Sequence, residues 1–448
     1  MSADREQRRA LRQTVWTLAW PVIISYLSES MVGLVDTLMV GRLGANAVAA
    51  VGVGAQIFST VNIVVMAVGT GTLALVARHV GAREPREAQR ILGQSILAAV
   101  ALALCAITPV LLWPRPFLRL FNVTPEVVDL AAAFARRLLL GVPGIGVVFV
   151  VAAGLRGAGD TRTPLLVGLI INAVNVAGNF ILIFGRLGFP PLGLIGSGLA
   201  SAIATTTGAL VALVLVTRGG LRLRVGRIDL RPDRAAIRRV LRIGMPAAGE
   251  QVLMQIGFFL YLTFAAAYGT HAMAAYFIGV RILAVSFLPG LGFAAAASAL
   301  VGQNLGAGNP AQAERAAWVA TWMCVSLMSV TGVIAFVFAT SIARGFVDDP
   351  AVVSGTVWFI YMLALAQPLM AMDYVFGGAL RGAGDTRFPL LAMIIAFYGC
   401  RLGFAWVVTH WWHLSLPWLW AALIGDYVAR AALKGWRFRS GAWKTAQL

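Results

Sequence analysis

LRGAGDTR occupies residues 155–162, and the same eight letters return at 380–387, 225 positions later (380 − 155). A chance repeat of that length is very improbable. At the same offset, without gaps, other pieces align. Pro21 meets Pro246, GANAVAAVGVGAQI (44–57) lies over GTHAMAAYFIGVRI (269–282), and LVARHVGAREPREAQR (75–90) lies over LVGQNLGAGNPAQAER (300–315). Thr124-Pro125 meets Asp349-Pro350, Pro143 meets Pro368, and Pro164 meets Pro389. The chain therefore reads as two similar halves, 1–217 and 240–448, joined by a basic linker at 218–239 (RGGLRLRVGRIDLRPDRAAIRR).

Both halves are built for lipid. The chain is 59% hydrophobic and 12% charged, with a mean hydropathy of +0.82, whereas soluble domains carry about 25% charged residues. Its apolar runs suit helices that cross a hydrocarbon core of about 30 Å, not the short alternating strands of a barrel. Spans are expected at 15–41, 46–76, 91–113, 127–154, 164–184, 192–217, 240–268, 272–301, 316–339, 352–379, 389–411 and 416–434. The fold class is all-α and integral to the membrane, with about twelve transmembrane helices in two parallel six-helix bundles. Six is even, so both bundles enter the bilayer from the same side. A pseudo-two-fold along the membrane normal must then relate them, an arrangement found in secondary transporters.

The net charge of +18 first suggests nucleic acid. Its distribution argues otherwise. Arg5, Arg8, Arg9 and Arg12 precede the first span, Arg78, Arg83, Arg86 and Arg90 follow the second, and the linker is a basic run. The opposite loops hold few cations: Arg42, Arg115, Arg119, Arg186 and Arg344. This is the positive-inside pattern, which puts both termini in the cytoplasm of a protein in the cell's inner (plasma) membrane. Membrane lipids are the expected partners of the basic loops, no nucleic acid is expected, and a monomer is the simplest state. The first apolar run is too long for a signal's hydrophobic region and has no small-residue cleavage site behind it, so a cleavable signal is not expected.

The octapeptide reads as punctuation. Gly157 and Gly159 allow a tight turn, Asp160 or Thr161 can cap the next helix, and Arg156 and Arg162 are expected to anchor to headgroups. It lacks the strand and the third glycine of a phosphate-binding loop. His410-Trp411-Trp412-His413, with Trp418 and Trp420, reads as an aromatic belt and not as a metal site. No clustered His, Cys or acid with metal spacing is present, so neither a metal, a cofactor nor catalytic residues are expected.

Chemistry should lie where lipid forbids charge. An ionisable group at the centre of a span costs at least about 2.5 kcal/mol, so it survives only beside a lumen, a partner or a function. Four acids lie well inside spans: Glu29 and Asp36 in the first, Glu250 in the seventh and Asp373 in the tenth. Glu29 and Asp36 are two turns apart and share a face. At the repeat offset they meet Met254 and Tyr261, so the second half does not repeat them. The fifth span carries Asn172, Asn175 and Asn179 as one stripe. That stripe is expected to hydrogen-bond Asp36, to hold a cation through amide oxygens, or to join helices. Asp36, Glu29 and the three asparagines are thus the candidate ion-coupling set. Glu250, Gln251, Gln255, Tyr261 and Asp373 form the candidate substrate-binding set. Arg401 needs a buried partner, for which Asp373 or Glu250 is expected, and Asp426 with Arg430 reads as a local i,i+4 pair.

These features together resemble the multidrug and toxic compound extrusion (MATE) transporters. The likeness rests on twelve spans in two parallel halves, VDTLMVGRLG around Asp36, the doubled LRGAGDTR before Thr-Pro and Phe-Pro, and INAVNVAGNFILIFG in the fifth span. It covers essentially the whole chain. The resemblance implies export of small lipophilic, often cationic compounds in exchange for H⁺ or Na⁺, with Asp36 as the coupling carboxylate. Some members carry a second acid on the fifth helix, where this chain has Asn179. Others carry acids on the seventh and tenth, where Glu250 and Asp373 lie. The alternative is a flippase for lipid-linked saccharides, which would want a cationic lumen and commonly extra helices.

Overall fold

The computed structural model describes residues 2–119, 124–219 and 223–446. Linker residues 220–222 and the side chain of Arg119 lie outside the described residues. Twelve helical segments account for the expected spans: α1 Ser2–Gly41, α2 Ala45–Gly81, α3 Pro85–Leu112, α4 Pro125–Leu139 with Val142–Gly157, α5 Arg162–Phe184, α6 Gly193–Arg218, α7 Arg234–Ala266, α8 Thr270–Ser286 with Leu288–Gly306, α9 Pro310–Val337, α10 Pro350–Ala383, α11 Arg387–Trp411 and α12 Leu416–Arg439. Among the described residues, nine segments are long and apolar enough to cross a bilayer alone, and a tenth is α4, bent by 45° at its break. Helices α7 and α12 are not among these, and charged side chains lie in their apolar runs, Glu250 in one and Asp426, Arg430 and Lys434 in the other. All four side chains are largely withdrawn from solvent.

The chain packs as two compact units. One is Ile24–Met245; the other combines the chain start, up to Ile23, with Pro246–Leu448. In both α1 and α7 the change of unit falls beside an aligned proline inside the helix, Pro21 and Pro246. Proline removes a backbone hydrogen bond and tolerates a kink there.

Each unit contains the same close helix crossing. In one, Gly292 of α8 lies against the backbone of Ala19, whose carbonyl oxygen would stand 2.9 Å from an added Cβ. In the other, Gly244 of α7 lies against Ala67 of α2, and a Cβ there would collide with the Ala67 carbonyl. Positions 19 and 244 are equivalent in the repeat, as are 67 and 292. One partner of each crossing is alanine and the other glycine, because the backbones approach too closely for two Cβ atoms.

The linker is held down. Buried Gln94 of α3 donates from Nε2 to the carbonyls of Asp229 and Arg231, both at 2.7 Å, and its Oε1 accepts from the Asp233 amide at 2.7 Å. Arg90 adds an ion pair to Asp233 at 2.6 Å. Gln94→Leu removes three hydrogen bonds and strands two carbonyls, so a loss of about 1–3 kcal/mol per unsatisfied group is expected. Trypsin should cut the arginine-rich linker of that variant faster than in the parent, with a lower melting temperature.

One expectation about the aromatic belt needs correcting. Trp411, Trp412 and Trp418 are exposed, but Trp420 is 1% exposed. Its indole N–H donates to the Gly355 carbonyl at 3.1 Å and its ring packs on Tyr276 and Phe359. It lies two residues beyond Trp418, about half a turn of α12, so its side chain faces the core.

Candidate functional site

In the unit Ile24–Met245, α5 brings the asparagine stripe onto α1. Asn172 Nδ2 donates to Ser28 Oγ at 2.8 Å. Asn179 Nδ2 donates to Asp36 Oδ1 at 2.6 Å. The Asn175 amide satisfies both its ends when its nitrogen donates to Asp36 Oδ1 at 2.8 Å and its oxygen accepts from Ser201 Oγ at 3.0 Å; this orientation is assigned from the hydrogen-bond network. Asp36 is half-buried, while Asn175 and Asn179 are buried. Among the described residues, Asn179 Oδ1 is a buried acceptor without a protein donor. The Asp36 carboxylate thus accepts from the amides of both Asn179 and Asn175, and the same Asn179 amide carries the unsatisfied oxygen.

Glu29 stands apart from the stripe. It is exposed, and the nearby cation is Arg156. Arg156, expected among headgroups, is instead turned inward, half-buried over the Tyr26 ring at 5.9 Å. The second copy of the octapeptide does the same. Arg381, equivalent to Arg156, donates from Nη1 to Glu250 Oε2 at 3.0 Å. Glu29 therefore has a counterpart after all, one the gapless alignment hides. Glu250 is four residues earlier in the repeat frame than Glu29. One helical turn preserves the face, so either position can present an acid to the octapeptide arginine.

The other unit carries a buried ionic chain that the sequence reading only partly located. Lys434 of α12 lies 2.6 Å from Asp373 Oδ1 and 3.6 Å from Glu250 Oε1. With Arg381 on the far side of Glu250, the signs alternate along the group. Gly377 leaves the room: an added Cβ would stand 3.3 Å from both Lys434 Nζ and Arg381 Nη2. Arg401 was expected to pair with Asp373 or Glu250. It pairs instead with Asp426 at 3.5 Å. Its guanidinium stacks on Tyr261, 4.4 Å from the ring centre, and on Phe258 and Phe397. Asp426 also takes Arg430 through two bonds, at 2.6 and 3.3 Å, so the local pair belongs to a triad. Two segments of π-helix in α11, Ile394–Leu402 and Val407–Trp411, accompany this arrangement, and Arg401 sits at the end of the first. The wider helical turn gives residues a different angular position from that of a regular α-helix.

The candidate substrate set is dispersed by comparison. Gln251 and Gln255 are exposed on α7 near Glu250. Tyr261 is fully buried and donates its hydroxyl to the Leu419 carbonyl, away from Glu250. Asp373 is buried against Lys434. Lys434 is the residue sequence reasoning missed. Its signal was available: a lysine one turn beyond Arg430 on the same α12 face as Asp426.

Helices long and apolar enough to span a bilayer, arranged as a duplicated six-helix unit with buried charges on their inner faces, define a multi-pass membrane transporter. Comparison with known proteins specifies which. The MatE family model matches residues 21–181 and again 246–407, once in each half, and the chain belongs to that family of multidrug and toxic compound extrusion transporters. It is 30% identical to the probable multidrug resistance protein NorM of Thermotoga maritima over 98% of this chain and 95% of that one. It is 30% identical to the multidrug resistance protein NorM of Burkholderia vietnamiensis, covering 94% and 92%. A MOP superfamily transporter from Pyrococcus furiosus shares the fold, with a TM-score of 0.89, 24% identity and 97% of each chain covered. A MATE solved in a bent conformation matches with a TM-score of 0.89, 25% identity and 98% of each chain covered.

Proposed function

We propose that this protein exports lipophilic, cationic small molecules by alternating access, in exchange for H⁺ or Na⁺. It works as a monomer in the inner membrane with both termini in the cytoplasm. The observation that carries the reading is Asp36, a carboxylate within the first span held by Asn179 and Asn175, with the Asn179 amide oxygen still able to accept. Such a group can take a proton. With the amide oxygen beside it, it can also take a small hard cation, which prefers oxygen ligands. The relatives named for multidrug resistance support the substrate class. Glu29 lies on the same helix, two turns earlier, as a second acid for the ion path. Asn172 holds α5 to α1. Glu250, Gln251 and Gln255 offer substrate contacts on α7, with Asp373 and Tyr261 shaping the interior behind them.

The flippase reading has one observation in its favour. Arg381, Arg401, Arg430 and Lys434 outnumber Glu250, Asp373 and Asp426 in the buried chain. Each of these cations already lies within 4 Å of an acid, so little positive field remains for a pyrophosphate, and export of cations is the stronger reading.

The test is uptake of a fluorescent cationic dye into inverted vesicles. A lumen-acid gradient or a lumen-sodium gradient should drive accumulation, and the one that works names the ion. Accumulation at the same rate with neither gradient would end the antiport reading.

A further inference from the structure

A groove of about 1000 Å³ lies in the unit that contains the chain start, and none of the four acids above lines it. Its walls are the first turns of α1 and the face of α9. Both walls change character in the same order. Arg8 and Arg12 of α1 and Arg315 of α9 line one end, all three exposed. Next come Trp16, Trp318 and Trp322. Beyond them α9 supplies only small or apolar groups, ending at Leu327 and Val330. From Arg315 to Val330 is about 22 Å of helix, close to the depth of one leaflet with its headgroup layer.

The charge at the mouth is one-sided. Glu314, the single acid among the described lining residues, is bound by Lys444 at 2.6 Å. Arg439 adds a further cation over the Trp318 ring, 5.6 Å from its centre. Among the described lining residues, a zwitterionic headgroup would find no unclaimed acid for its ammonium. A net negative phosphate finds arginines from two helices, whose planar donors suit phosphate oxygens. Tryptophans occupy the depth where amphipathic rings favour the boundary between headgroup and chain. Basic pockets between transmembrane helices are known to take anionic headgroups.

We propose that this groove is a site for one anionic phospholipid of the cytoplasmic leaflet, its phosphate on Arg12 and Arg315 and an acyl chain laid along Trp322, Leu327 and Val330. The site requires only that the chain spans a membrane. It stands or falls separately from the identity of the exported compound or coupling ion.

The experiment is native mass spectrometry of the purified full chain titrated with phosphatidylglycerol or with phosphatidylcholine of the same acyl chains. Phosphatidylglycerol should be retained at least tenfold more strongly. Arg12→Ala with Arg315→Ala should weaken that retention by about fivefold per arginine. Arg344→Ala, an exposed arginine elsewhere, should leave it unchanged. Trp322→Ala should weaken binding of both lipids. Equal retention of the two lipids overturns the proposal, as does undiminished phosphatidylglycerol binding in the double variant. A dimer that disappears with Trp322→Ala would also overturn it, since the groove would then hold a second copy of the chain.

Discussion

Asp36→Asn is expected to insert and fold but to lose coupled efflux. The substitution keeps the size of the side chain and its capacity to accept from Asn179 at the 2.6 Å contact. It removes the negative charge and the titration. An amide neither binds and releases a proton at working pH nor neutralises a cation, so the driving gradient has nothing to act on. A coupling free energy of the usual size is worth on the order of a hundredfold in affinity, and gradient-driven dye transport in proteoliposomes should fall by at least that factor. Binding of the dye in the absence of a gradient should change far less. Asn179→Leu makes a useful companion. It keeps the acid but removes the short hydrogen bond and the free amide oxygen. Sodium-driven transport should then suffer more than proton-driven transport, because only a metal cation needs the second oxygen. Full retention of coupled transport in Asp36→Asn would take the carboxylate out of the mechanism.

Lys434→Met should be strongly destabilising. Lys434 is 2% exposed and stands between Asp373 and Glu250. Truncating one member of a buried ionic group leaves its partners uncompensated, at a cost of about 3–5 kcal/mol. The melting temperature in detergent should fall accordingly. Lys434→Met with Asp373→Asn removes one unpaired charge and should recover much of the loss, since replacing a buried pair by neutral groups is often close to neutral. Two neutral side chains that melt no higher than the single variant would show that packing against Lys434, not charge, matters there. The buried chain joins α7, α10 and α12. Its value is therefore better sought in fixing the rotation of those helices than in net stability.

The doubled octapeptide shows how identical residues take different tasks. In the first copy Asp160 Oδ1 accepts from the amides of Arg162 and Thr163, at 3.1 and 3.0 Å, and Oδ2 accepts from the Thr163 hydroxyl at 2.6 Å. That is the expected helix cap. In the second copy the next residue is Phe388, which has no hydroxyl, and Asp385 accepts from Arg437 Nε at 2.8 Å instead. The eight letters are the same; the ninth and the neighbouring helix decide where the aspartate points.

What the sequence determined by itself was everything set by hydrocarbon. In a bilayer core the backbone must satisfy its own hydrogen bonds, so apolar runs of sufficient length become helices. Their number, order and duplication follow directly from composition and the repeat. The same constraint marked Asp36 and the α5 asparagines, because polar residues on one helical stripe must face something other than lipid. The tertiary structure decided which charge meets which. Arg401 found Asp426 and not Asp373, Lys434 joined Asp373 to Glu250, and Arg156 and Arg381 turned from the surface toward acids one turn out of register. Those pairings depend on the rotation of helices that are far apart in the chain, and on the π-helical turns of α11. Packing of whole faces sets such rotations, and no short stretch of sequence contains them.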